Sequence, residues 1–334
     1  MSRRTLVGGL TLAALCSVSP AQAEETLTVY TYDAFVSEWG PGPSVKKAFE
    51  SQCDCRLRFV ALDGGVGILQ RLKLEGEDSA ADVVLGLDMN LMAEARDTGL
   101  LAPHGVDLSP LALPVDWDDD TFVPFDWAPF AFVYDTQALA EPPHSFQALI
   151  DAPDDLKVII EDPRTSTPGL GLLLWIRHAY GDRADAIWRG LQPHILTVTR
   201  DWSEAYFSLF LNGEAPMVMS YATSPAYHMA VDHTDRYQAA AFDEGHYLQV
   251  EVAARTRHGK HPQLAREFLG FMLSRDFQRE LPLTNVMYPA IDLGDGLPEA
   301  YSKLIDPEVY TFSPQVVREH RKAWVDDWLR VSTR

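Results

Sequence analysis

Residues 215–227, A-P-M-V-M-S-Y-A-T-S-P-A-Y, begin as a short apolar run and end in a turn. The run 217–220 reads as a buried strand. The loop after it carries Tyr221, Ala222, Thr223, Ser224 and Pro225, with Tyr227 just beyond. In open α/β sheets, ligands sit outside the carboxyl ends of the strands. A strand whose end releases two tyrosines and two hydroxyls into one turn is a ligand wall if neighbouring strands end in the same way. Otherwise it is a packing corner.

The rest of the chain supplies those neighbours. L-T-V-Y-T-Y over 27–32 alternates as a strand does and is rich in β-formers. The loop 33–43 after it holds Trp39 and a G-P-G-P turn, and 44–52 is an amphipathic helix. A second strand over 56–61 ends at Asp63-Gly64-Gly65, and a helix follows over 66–76. D-V-V-L-G at 82–86 is a third strand, and the helix 90–98 is closed by Gly99. Residues 100–121 are irregular, and 122–134 is strand-like and aromatic despite two prolines. A second alternation places strands at 158–160, 195–199, 217–220 and 237–241, with helices at 168–180, 182–191 and 203–212. A strand at 248–254 and helices at 262–274 and 314–329 complete the chain.

Strands alternating with helices imply βαβ units and a mostly parallel sheet. The economical architecture is α/β with two lobes and a ligand cleft between them. Segments 122–134 and 248–254 are then two crossing strands, and the C-terminal helices return to the first lobe. Lobe 1 is expected over 24–128 and 252–334, and lobe 2 over 129–251.

The amino terminus predicts export. Arg3 and Arg4 precede an apolar run at 6–15, and Ala21-Gln22-Ala23 supplies small residues for cleavage, so 1–23 reads as a signal peptide. The opening S-R-R-T-L-V resembles a twin-arginine signal, and a Sec signal also begins on basic residues, so the route stays open. No other stretch is long and apolar enough for a membrane span. The mature protein is therefore expected to be soluble and exported, with no direct membrane insertion.

Loss of 1–23, with two basic residues and no acidic one, takes the formal charge from −20 to −22. Such a surface repels nucleic acid and anionic lipid and mildly favours a cationic solute. After cleavage two cysteines remain, Cys53 and Cys55, in C-D-C. A bridge across one residue is tight, and a metal site would need further ligands nearby, so a local disulfide and two free thiols both stay open.

Two strand-to-helix turns look built for an oxygen-rich group. One is Asp63-Gly64-Gly65, whose glycines let backbone N–H groups approach a ligand. The other is D-P-R-T-S-T-P-G at 162–169, in which Thr167 reads as an N-cap before Pro168 and Ser166 adds a second hydroxyl. Aromatic residues collect at the same predicted strand ends: Tyr32, Trp39, Trp202, Tyr221 and Tyr227. Asp33, Asp63, Asp88 and Asp201 lie near the same rim, as do His228 and His246. Trp324 and Trp328, four apart on the last helix, read as packing residues. No G-x-S-x-G elbow, H-E-x-x-H, Walker or dinucleotide motif occurs.

Longer blocks carry a family resemblance. They include W-G-P-G-P from Trp39, A-D-V-V-L-G-L-D from Ala81 and D-P-R-T-S-T-P-G-L-G-L-L-L-W from Asp162. W-S-E-A-Y from Trp202, S-Y-A-T-S-P-A-Y-H from Ser220 and E-G-H-Y-L-Q-V-E-V-A-A-R-T from Glu244 continue them. In these the chain resembles the periplasmic thiamine-binding proteins of bacterial ABC importers, over essentially all of its mature length. The C-x-C pair also fits that family. The resemblance implies the two-lobed type II periplasmic binding protein fold, with thiamine or its mono- or pyrophosphate as ligand and no cofactor. It implies an inner-membrane ABC permease with its ATPase as partner, and a monomer. Carried over by position, the ligand contacts are Gly64, Gly65, Ser166, Thr167, Trp202 and the turn Tyr221, Ala222, Thr223, Ser224, Pro225. Tyr32, Trp39 and Tyr227 are expected around the rings.

Three positions depart from the family pattern. Gly64 stands where an acidic residue is expected, Val286 where a tryptophan is, and one residue is inserted between Trp202 and Tyr221. The competing readings are a thiaminase-like enzyme on the same fold and a binder of another cation, a polyamine or ferric iron. The enzyme would need an activated cysteine in the cleft. A ferric site would need clustered tyrosines with His or carboxylate partners.

Overall fold

The computed structural model of the chain describes residues 25–332, so the expected signal segment lies outside the described residues. β1 (Glu25–Tyr32) runs parallel to β2 (Cys55–Leu62) and to β3 (Val83–Asp88). Around them lie α1 (Asp33–Val36), α2 (Gly42–Glu50), α3 (Gly65–Glu75), α4 (Met92–Asp97) and the short β4 (Leu101–Ala102). Next comes the long β5 (Val123–Asp135), then α5 (Phe146–Ile150), β6 (Val158–Glu161), α6 (Thr167–Tyr180) and α7 (Ala184–Leu191). β7 (Ile195–Thr199), β8 (Met217–Tyr221), α8 (Pro225–Ala230) and β9 (Tyr237–Ala239) lead to the second long strand, β10 (His246–Thr256). The chain ends with α9 (Pro262–Met272), α10 (Arg275–Gln278), α11 (Leu281–Thr284), β11 (Tyr288–Pro289), β12 (Val309–Tyr310) and α12 (Pro314–Ser332).

The main strands follow the order β2-β1-β3-β10-β5-β8-β6-β7. β5 and β10 are the two long members, and they cross between the halves as the sequence implies. The first part of β5 pairs antiparallel with β10, and its second part with β8 and β9. β10 pairs with β3 on its other side. Both strands are buried along most of their length, so their residues read as nearly continuous apolar runs rather than as alternations. A neutral histidine stitches them together. His246 Nδ1 donates to the Phe130 carbonyl (2.6 Å), and its Nε2 accepts from the Phe242 N–H (3.0 Å). Burial holds that imidazole down to about 4. His246 therefore serves the frame and does not reach the rim where the sequence reading placed it.

Three expectations change. The predicted helix 203–212 is a π-helical turn over Glu204–Phe210, in which Leu211 N–H reaches back five residues to Tyr206 O (3.0 Å). Such turns are frequent at functional sites. The N-cap of α6 is Ser166 rather than Thr167, with Pro168 in the first turn, because the backbone stays extended at Ser166 and turns helical only after it. The last helix does not return to the first half alone. Arg321 of α12 pairs with Glu94 of α4 (2.8 Å), while Trp328 packs edge-on to Trp188 of α7. Trp324 and Trp328 are packing residues as read, Trp324 lying against Phe312. α9 and α10 do lie on the first half, with Phe268 of α9 against Phe49 of α2.

Gly86 explains part of A-D-V-V-L-G-L-D. Its φ is +99°, and a Cβ there would lie 2.3 Å from the Tyr32 ring. Tyr32 lies over β3 only because position 86 has no side chain. Gly86→Ala is expected to destabilise the protein by about 1–3 kcal/mol through overpacking and backbone strain. An unchanged urea midpoint would show that Tyr32 can move aside freely.

Candidate functional site

The carboxyl ends of β1, β2, β6, β7 and β8 meet around one cleft of about 280 Å³. From the first half come Tyr32, Asp33, Trp39, Asp63, Gly64 and Gly65. From the second come Ser166, Thr167, Trp202, Tyr221, Ser224 and Tyr227. The structure thus brings ten of the thirteen expected contact residues to one cleft. Ala222, Thr223 and Pro225 do not line it. They are buried behind it, where they hold the turn that aims Tyr221 and Ser224.

That turn is fixed by a hydroxyl relay. Trp202 Nε1 donates to Ser220 Oγ (2.8 Å), Ser220 Oγ bonds Ser224 Oγ (2.8 Å), and Tyr221 N–H leans on Ser224 Oγ (3.4 Å). Tyr221 is stacked from behind by Phe130, centroids 5.1 Å apart. The π-helical turn presents Tyr206 and Phe207, and Trp202 stacks on Tyr206 at 4.9 Å and meets Phe207 edge-on at 5.2 Å. Tyr206 is in turn held by His228 Nε2 (3.0 Å), whose Nδ1 faces Asp232 (2.8 Å). Burial lowers the His228 pKa despite Asp232.

The two strand-to-helix turns converge at one end of the cleft. Gly64 opens α3 and lies against the Thr165 carbonyl, at 3.4 Å from where its Cβ would be. Gly65 fits beneath Gly86 O, which a Cβ would meet at 2.7 Å. Opposite, Ser166 opens α6 with a buried hydroxyl that has no partner among the described residues. Two helix N-termini and a free hydroxyl facing one point favour an anionic or hydroxylated group there. The halves also touch at the mouth. Arg200 pairs with Asp63, and the Trp39 ring meets Phe207 at 5.1 Å.

The floor is the part that the sequence reading missed. Glu251 of β10 lines the cleft at 6% exposure and lies directly opposite Asp126 of β5 in the strand register. Tyr32 OH donates to Glu251 Oε2 (2.8 Å), with Asn285 Oδ1 also at 3.1 Å. Asn285 Nδ2 donates to Asp126 Oδ2 (2.6 Å) and approaches Glu251 Oε2 (3.5 Å). Asp88, opposite Glu251 on β3, is fully buried beneath, so it sits below the rim rather than on it. Burial, and then the charge of Asp88, push the Glu251 carboxyl up to about 7. Burial and the Glu251 charge push Asp126 well above the carboxylate range. Burial raises Asp88 to about 6. The available signal was an acid inside the otherwise apolar strand L-Q-V-E-V-A-A.

Val286 also lines the cleft, with a left-handed backbone (φ +56°) that a β-branched residue rarely adopts. Its N–H caps α11 by donating to Leu281 O (2.9 Å). Cys53 and Cys55 are bonded to each other at the start of β2. Among the described residues, no group of three or more His, Cys, Asp or Glu is placed to hold a metal ion, and no helix is long and apolar enough to cross a membrane.

The family model of bacterial extracellular solute-binding proteins matches residues 31–279. The chain belongs to that family. The thiamine-binding periplasmic protein of Escherichia coli is 52% identical over 326 residues, 97% of this chain and 98% of the relative. That of Brucella suis is 51% identical over 325 residues, 97% of each. A solved periplasmic thiamin binding protein superposes with a TM-score of 0.90 at 52% identity, covering 93% of this chain and 97% of that one. The fold is thus the type II arrangement of periplasmic solute-binding proteins, as the family resemblance implies.

For this family member, the floor makes a prediction about pH. A carboxyl whose pKa is raised by folding contributes stability in full below its unfolded value, and that stability is lost as pH rises through the folded value. The ligand-free protein should therefore lose about 1–3 kcal/mol of stability as pH rises from the ordinary Glu range to about 7. Glu251→Gln should flatten that slope in thermal melts taken across the same range. Parallel curves for the two proteins would contradict the assignment.

Proposed function

We propose that the protein captures thiamine, and its mono- and pyrophosphate esters, in the periplasm and delivers them to an inner-membrane ABC permease with its ATPase. The observation that carries this reading is the lining of the cleft. Aromatic faces surround a space bordered by Asp33, Asp63, Asp201 and Glu251, and among the described residues no Lys or Arg lines it. That suits a flat cation. The chain's half-identity with thiamine-binding relatives supplies the chemical class.

The pyrimidine and thiazolium rings lie among Trp202, Tyr221, Tyr32, Trp39 and Tyr227. The hydroxyethyl or phosphate end points to Gly64, Gly65, Ser166 and Thr167, between the N-termini of α3 and α6. Ala222, Thr223 and Pro225 act by shaping the turn that bears Tyr221 and Ser224. The half built on 24–128 and on 252–334 up to α12 closes on 129–251 as the ligand enters, with α12 packed on both, and the protein works as a monomer. The bonding of Cys53 to Cys55 leaves no thiol among the lining residues, which favours a binder over a cysteine-dependent thiaminase.

Calorimetric titration of the mature protein with thiamine, its two phosphates, a polyamine and Fe³⁺ tests the reading. Binding of thiamine forms alone is expected, and no heat with any of them would remove it. Trp202→Ala should weaken thiamine binding by about 1–3 kcal/mol, the scale of lost stacking and cation–π contact. Wild-type affinity in that variant would take Trp202 out of the site. Asp63→Asn breaks the pair at the mouth, so stopped-flow release of thiamine should quicken several-fold while capture changes little. An unchanged release rate would show that the pair does not hold the closed form.

A further inference from the structure

We propose that Glu251 and Asp126 together are the counter-site for the ligand's ring cation, sharing one proton while the cleft is empty and releasing it to solvent when the cation enters. The inference rests on the thiamine reading above and adds to it the residues that read the charge.

The argument begins with register. β5 and β10 place Asp126 and Glu251 directly across from each other, where like charges repel. One amide, Asn285 Nδ2, donates to Asp126 Oδ2 (2.6 Å) and comes within 3.5 Å of Glu251 Oε2, so the two carboxyls converge on a single donor. Two buried carboxyls set opposite each other, with no cation paired to either among the described residues, do not both ionise readily, so the pair keeps a proton. Asp126 Oδ1, buried with no partner among the described residues, is where that proton fits.

The surroundings make the pair anionic without neutralising it. Tyr32 from β1 donates to Glu251, and Asn285 after α11 bridges both carboxyls. Asp88 on β3 adds negative charge from below, and the Arg321 cation of α12 acts on Asp88. Tyr221 on β8 faces the same group with a phenol that burial and these carboxyls keep protonated. Neither Glu251 nor Asp126 forms a salt bridge among the described residues.

The other acids of the cleft are less suited to this role. Asp63 is already paired with Arg200, and Asp33 is exposed at the mouth, where solvent and salt screen its field. Glu251 alone is both buried and open to the ligand. A cation arriving there meets a carboxyl pair that becomes doubly charged once its proton leaves. Cation and proton therefore compete, and binding weakens as pH falls below about 7.

The test is calorimetric titration of the full mature protein with thiamine near pH 7, in two buffers of different ionisation heat. Thiamine itself is used because its phosphate esters titrate near pH 6. The expected result is net proton release approaching one per thiamine bound, and release is lost in Glu251→Gln. The second arm uses the uncharged analogue in which carbon replaces the thiazolium nitrogen. Glu251→Gln should bind thiamine at least tenfold more weakly than wild type and the analogue about equally well. Asp126→Asn, which keeps the Asn285 contact, should also abolish proton release and serves if the first variant fails to fold. Thiamine binding with no buffer-dependent heat, or equal losses for thiamine and the analogue, would overturn the inference and leave the functional reading standing. No binding of thiamine by the wild-type protein would remove both.

Discussion

The antiparallel pairing of β5 with β10 is the constraint on which the rest of the molecule depends. These two strands pass between the halves, and every other strand of the main order lies to one side of the pair or the other. Their register also decides the chemistry of the floor. A slip by one residue would turn Glu251 and Asp126 to the opposite face and bring apolar neighbours to the cleft. The register is held by more than ladder hydrogen bonds. His246 ties the start of β10 to the Phe130 carbonyl, and Gln278 donates to the Phe125 carbonyl while accepting from Ala290 N–H. Each of these buried polar groups has its partner, so each favours one pairing over its alternatives.

The floor carries a cost that the frame must offset. Three carboxyls, Asp88, Glu251 and Asp126, lie in a row across β3, β10 and β5. A sheet selected only for stability would place valine or isoleucine there. Departures of this kind from local rules are expected where a protein binds something. The same holds for Val286, which caps α11 with a backbone angle that glycine would adopt more readily.

What was legible in the sequence follows from periodicity and punctuation. β1 through β3 and β6 through β8 alternate with helices and end in turn residues, so their carboxyl ends, and the aromatic residues just past them, could be read directly. Asp63-Gly64-Gly65 and D-P-R-T-S-T-P-G were readable because glycine, proline and hydroxyl residues mark strand-to-helix turns. Residue-level partners were not readable. Glu251 lies in a strand buried on both faces, where no alternation separates an inward acid from an outward one. Its meaning depends on Asp126, 125 positions earlier, and that pairing is a tertiary fact. The π-helical turn was hidden for a related reason. Its apolar spacing resembles an α-helix, and the stacking of Tyr206 on Trp202 that accompanies the wider hydrogen bonding is a tertiary contact. α12 misled because it is amphipathic toward two neighbours at once, α4 and α7.

The contacts between the halves show why a ligand must complete the cleft. Arg200 and Asp63 are both solvent-exposed, and an exposed ion pair contributes about 0–1 kcal/mol. The edge contact of Trp39 with Phe207 adds about 0.5–1.5 kcal/mol, and Trp39 stays 43% exposed. Those terms are close to the cost of ordering the side chains that make them, so closure over an empty cleft gains little. On the proposed reading, a planar cation among Trp202, Tyr221 and Tyr32 changes the balance. It adds apolar contact on its faces and charge pairing at the floor, and the closed arrangement excludes the water that would screen that charge. On that reading the aromatic wall and the acidic floor are interdependent: the wall supplies the dry surroundings in which a charge on Glu251 can discriminate, and the charge makes a dry cleft selective for a cation.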